Sequence, residues 1–78
     1  MIVTRKPIRA EAHRWYPGME LPGVSPMEMV GPPSIAGVLF LGNGRFISFW
    51  PGDYVIYPEA GEPSVCPASR FEDEWEPV

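Results

Sequence analysis

The sequence predicts a mainly β fold, a small antiparallel sheet curling into a partly open barrel or roll, with at most one short helical turn. Three observations predict it. Eleven prolines and eight glycines make up about a quarter of the chain, a fraction that breaks helices and multiplies turns. Asn43-Gly44 stands between two apolar runs, the strongest short-range hairpin signal, because a type I′ turn needs positive φ at both central residues. Residues 8–13 alternate apolar and polar with the period of a strand.

A length of 78 residues fits one domain, 1–78, near the lower limit for a core without disulfide or metal support. Hydrophobic residues make up 45%, enough to offset the entropy of ordering, which a disordered segment does not achieve.

In chain order, Ile8, Ala10 and Ala12 share one face of the first predicted strand, and Arg9, Glu11 and His13 the other. Pro17-Gly18 stops it. Residues 19–34 read as a Pro/Met-rich loop, since each proline removes a donor and restricts its predecessor. Met19, Met27 and Met29 lie in it, with flexible thioethers suited to packing over a sheet. The hairpin follows at residues 35–50. A two-residue Asn43-Gly44 turn pairs Leu41 with Phe46, Phe40 with Ile47, Leu39 with Ser48 and Val38 with Phe49. That register predicts a core face of Val38, Phe40, Ile47 and Phe49, opposite a second apolar patch of Leu39, Leu41 and Phe46. Pro51-Gly52-Asp53 then turns the chain into a third strand of the meander at Tyr54, Val55, Ile56 and Tyr57. Residues 61–66 read as a short edge strand, residues 67–71 as a helical turn opened by Pro67.

Six basic residues against ten acidic ones give a net charge of -4, which opposes attraction to phosphate backbones, so no nucleic-acid partner is expected. No run approaches the roughly 20 apolar residues of a membrane span. A single cysteine, Cys66, forms no internal disulfide and fits a reducing, cytoplasmic location. Arg5, Lys6, Arg9 and Arg14 cluster near the start, and Glu72, Asp73, Glu74 and Glu76 near the end. Adjacent terminal strands would bring the two groups together.

Candidate chemistry is sparse. His13 is the sole histidine and reads as an exposed or hydrogen-bonded strand residue, on the same strand face as Glu11 and Trp15. Cys66 reads as a small buried hydrophobe, Asp53 as a turn residue bonding nearby amides, and the acidic tail as a solvated face. No phosphate-binding loop, triad, metal motif or cofactor signature is present. Ten aromatics in so short a chain exceed what its core buries, and Trp and Tyr dominate interfaces. Trp15, Leu39, Leu41, Phe46, Trp50, Tyr54 and Trp75 are therefore the candidate binding residues.

Three blocks together resemble a family of short bacteriophage and prophage proteins. Arg5-Lys6-Pro7-Ile8-x-Ala10-Glu11-Ala12-x-x-Trp15 is similar to its Arg-Lys-Pro-Val-x-Val-Glu-Ala-x-x-Trp opening. Pro51-Gly52-Asp53-Tyr54-Val55-Ile56 followed by Gly61-Glu62 is similar to its central block, and Cys66-x-x-x-x-Phe71-Glu72-x-x-Trp75-Glu76-Pro77 to its end. Together they span about half the chain in the right order. The Pro/Met loop, Tyr57-Pro58-Glu59 and Cys66-Pro67 depart from the family pattern. The resemblance implies a phage origin and a β-rich fold, and no enzymatic activity.

The expected function is that of a phage accessory protein in the host cytoplasm, binding a host protein or itself as a homodimer. A small-molecule binder with an aromatic-lined pocket is the alternative, and a structural virion component a minor one. No cofactor and no membrane partner is expected.

Overall fold

A computed structural model gives the fold and describes residues 1–5, 8–32 and 34–77. Its strands are β1 (Ile2–Arg5), β2 (Ile8–Arg14), β3 (Val24–Glu28), β4 (Ile35–Phe40), β5 (Phe46–Phe49), β6 (Tyr54–Pro58), β7 (Ser64–Cys66) and β8 (Glu76–Pro77), with α1 at Ala68–Glu74. They build a five-stranded sheet, β7-β6-β2-β1-β8, and a three-stranded sheet, β3-β4-β5. Every pairing is antiparallel. The fold is mainly β and partly open, as composition predicts.

Alternation decides what each face does. Ala10 and Ala12 of β2 are buried, and with Val3, Ile56 and Cys66 they form the face that α1 covers through Phe71 and, just past its end, Trp75. Tyr54 stacks on Phe71, ring centroids 3.7 Å apart. The opposite face brings Trp15, Val55 and Val65 against Leu39 and Phe49 of the smaller sheet. The layers are therefore helix, five-stranded sheet, three-stranded sheet. Leu39 and Val55 are fully excluded from solvent, and such burial stabilises by about 1.5–3 kcal/mol per side chain. Trp15 meets Phe49 edge-on at 5.3 Å. Its indole Nε1 is buried without a partner among the described residues, at a cost of about 1–3 kcal/mol.

Pro51-Gly52-Asp53 is the junction between the sheets. Gly52 lies at φ +94°, a conformation cheap only for glycine. Its amide donates to Trp15 O at 2.7 Å, and Trp15 N donates to Asp53 O at 2.9 Å. The Asp53 carboxylate accepts from Trp50 N at 3.1 Å and from Ala68 N, the first amide of α1, at 3.3 Å. The expected turn role of Asp53 thus extends to anchoring the helix.

Three expectations are corrected. Residues 19–34 are not all loop, because Val24–Glu28 pairs along β4. Pro26 sits opposite Gly37 at a position between hydrogen-bonded pairs, so its missing donor faces off the sheet edge and no ladder bond is lost. Secondly, β6 leaves the meander and pairs with β2 and β7 in the other sheet. Thirdly, the hairpin loop holds three residues, Gly42–Gly44, and Leu41 N donates to Arg45 O at 2.8 Å. Phe40 then opposes Phe46, Leu39 opposes Ile47 and Val38 opposes Ser48. That slip of one residue turns β4 over, because side chains alternate with a period of two.

The chain ends meet as expected, with Val3 opposite Pro77 and Thr4 opposite Glu76. Arg9 pairs with Glu59 at 3.8 Å rather than with the tail. Lys6 and the Arg5 side chain lie outside the described residues.

Candidate interaction surface

With Leu39 and Phe49 turned inward, β4 and β5 present Val38, Phe40, Phe46 and Ser48 outward. On this face Phe40, Phe46 and Ser48 are exposed, while Val38 is buried among its neighbours, 7% exposed. Phe40 and Phe46 are 55% and 63% exposed, and Trp50, just past β5, is 52% exposed. Phe40 and Phe46 are direct cross-strand partners, ring centroids 6.5 Å apart. Between hydrogen-bonded pairs, side chains stand closest, so the two rings form one apolar ridge.

Beside the ridge runs a shallow groove of about 290 Å³ lined by Ser25, Pro26, Met27, Val38, Phe40 and Phe46. A smaller depression of about 90 Å³ continues it toward Met29, Ser48 and Trp50. Among the described residues no charged side chain lines either. A contiguous apolar surface of this kind is the candidate interaction site.

The structure divides the candidate binding residues. Phe46 and Trp50 lie on this surface. Trp15 and Leu39 are buried between the sheets, and Leu41 is half-buried against the same cluster. Tyr54 and Trp75 belong to the helix-covered side. There a second groove, about 360 Å³, is lined by Met1, Tyr54, Phe71, Glu72, Trp75 and Glu76. Phe40 is a surface residue that the two-residue turn misassigned, while Val38 on the same face stays buried, 7% exposed. Gly42, preceding Asn43-Gly44, is the sequence signal that would have exposed Phe40.

Several polar side chains elsewhere have partners within the chain. His13 Nε2 and Glu11 Oε1 are 2.8 Å apart, and the imidazole meets the Tyr57 ring edge-on at 6.0 Å. Burial, and secondarily the Glu11 charge, push the Tyr57 hydroxyl above its ordinary pKa. That hydroxyl donates to Pro22 O at 2.8 Å. Cys66 is buried, 5% exposed. Among the described residues no three His, Cys, Asp or Glu side chains converge to hold a metal. No helix among them is long and apolar enough to cross a membrane.

No protein-family model, curated protein or solved structure matches the chain.

Proposed function

We propose that the protein acts by binding another protein through the outer face of its three-stranded sheet, as a small bacteriophage accessory protein in the host cytoplasm. The observation that carries this reading is the Phe40–Phe46 ridge beside an uncharged groove, with Trp50 exposed at its end. Aromatic side chains in such a setting carry most of the energy of protein interfaces. The three sequence blocks similar to phage and prophage proteins support the origin.

Immobilised wild type and Phe40→Asp, incubated with host lysate, test the reading. The expected partner is retained by the wild type, lost from the variant, and binds again after identification and purification. Retention indifferent to Phe40→Asp overturns it.

The groove beside α1 favours a second reading. Tyr54, Phe71 and Trp75 with the carboxylates of Glu72 and Glu76 suit a small cationic molecule, held by ring faces and opposite charge. Native mass spectrometry showing a retained metabolite, lost in Glu72→Gln/Glu76→Gln, supports it. A ligand-free spectrum from freshly extracted protein counts against it.

A further inference from the structure

We infer that the hollow between Met27, Met29 and Trp50 on the three-stranded sheet is a binding site for a soft monovalent metal ion of the copper(I) and silver(I) class, held by two thioethers and the face of the indole. This goes beyond the protein-binding reading and does not depend on it.

Strand register builds the hollow. Met27 stands opposite Ala36, and one step past the pair of Gly37 with Phe49 the same alanine comes beside Trp50. A row of large, small and large side chains thus crosses the sheet, its ends about 10 Å apart at two strand spacings. Ala36, 3% exposed, is too short to fill the middle. The cavity left over it, about 90 Å³, has room for an ion with its remaining water. Met29 N donates to Ser34 O at 2.8 Å, which carries the ladder past β3. The two-residue period of a strand then puts Met29 on the same side as Met27. The donor set selects the metal. Thioether sulfur is a soft ligand that favours copper(I) over hard divalent ions, and indole is the best aromatic face for a cation. No carboxylate, imidazole or thiolate is among the residues lining the cavity. A divalent ion would there exchange its hydration for neutral ligands alone, and that cost grows with the square of the charge. The net charge of -4 favours a cation over an anion. Both sulfurs are available. Met19 Sδ accepts from Tyr16 N at 3.3 Å, whereas among the described residues no hydrogen bond engages the sulfur of Met27 or Met29. Trp50, 52% exposed, leaves its indole accessible at the rim.

Titration with silver(I) nitrate in chloride-free buffer tests the site, because silver(I) shares the ligand preference of copper(I) and keeps its oxidation state. Native mass spectrometry should show one ion on the 8.7 kDa chain, in Cys66→Ala as in wild type, so that the buried thiol is not the ligand. The ion should quench emission from Trp50, a loss absent in Trp50→Phe. It should shift the methyl resonances of Met27 and Met29 and leave those of Met1 and Met19 in place. Met27→Leu/Met29→Leu conserves volume and apolarity. It should weaken binding by more than the about 10–100-fold that loss of an outer-shell partner costs. Zinc(II) at the same concentration should move none of these signals. Should the double variant not fold, the methyl resonances of the wild type decide. A wild type that retains no silver(I) overturns the site. So does binding that vanishes in Cys66→Ala, undiminished binding in folded Met27→Leu/Met29→Leu, or shifts confined to Met1 and Met19. Equal binding of zinc(II) at Met27 and Met29 overturns the preference for a soft monovalent ion.

Discussion

Gly37 and Phe49 face each other across β4 and β5, and the Phe49 ring fills the space that a side chain on Gly37 would occupy. A Cβ there would lie 2.5 Å from two ring carbons. The ring has little freedom to yield, because Phe49 is 4% exposed and held edge-on against Trp15. Gly37→Ala should destabilise by about 1–3 kcal/mol through overpacking. Phe49→Leu in the same chain should return part of that loss. Urea denaturation of the single and double variants measures the coupling, and strict additivity would refute the contact.

The hairpin loop tests backbone conformation without side-chain crowding. Asn43 and Gly44 lie at φ 64° and 74°, and nothing approaches within 4 Å of a Cβ built on Gly44. Gly44→Val should cost about 1–3 kcal/mol, all of it backbone strain. Gly44→Asn should cost less, since asparagine tolerates this region. Equal melting temperatures for the two variants would contradict the assignment.

Asp53 joins two amides far apart in sequence, Trp50 N and Ala68 N. Asp53→Ala should lower stability by about 1–2 kcal/mol, as loss of a helix-capping side chain does. Because the carboxylate holds the start of α1, hydrogen exchange should quicken at residues 68–71 more than in β2. Uniform quickening would remove the anchoring role.

Tyr57 ties stability to alkaline pH. Its pKa is raised in the folded chain, so the folded state holds the phenolic proton more tightly than the unfolded state. That contribution is complete below about pH 10, the unfolded value, and is lost as pH rises through the folded one. Tyr57→Phe should cost about 0.5–1.5 kcal/mol at neutral pH, from the lost bond to Pro22. It should also flatten the fall in stability above about pH 10. Parallel pH profiles for variant and wild type would count against this linkage.

Trp75, 7% exposed, seals the helix-covered core. Trp75→Ala should cost about 3–5 kcal/mol, a large share of the stability of a domain this small. Native near-ultraviolet circular dichroism and an unshifted melting curve would show that the tail is dispensable.

Elements governed by local chemistry were legible in the sequence. The alternation of Ala10 and Ala12 located β2 and its buried face, the β-branched run at residue 55 located β6, and Pro67 located the start of α1. Elements governed by tertiary partners were not. Pro26 disguised β3, and only the position of β4 beside it shows that the missing amide proton faces outward. The interaction surface was half visible for the same reason. Asn43-Gly44 marked the turn, but the extra residue Gly42 decided which of Phe40 and Leu39 reaches solvent. A single-residue difference in loop length is invisible to periodicity and reverses a whole strand.

The three tryptophans occupy three different settings: Trp15 between the sheets, Trp75 beneath the helix and Trp50 on the outer face, at 1%, 7% and 52% exposure. The chain thereby carries its own optical reporters, one for each layer. A collisional quencher should reach Trp50 alone in the folded protein, and any partner seated on the outer face should withdraw that access without altering emission from the other two. With Trp50→Phe as the background, the remaining fluorescence reports unfolding and nothing of partner binding, so the two events can be followed separately in one cuvette.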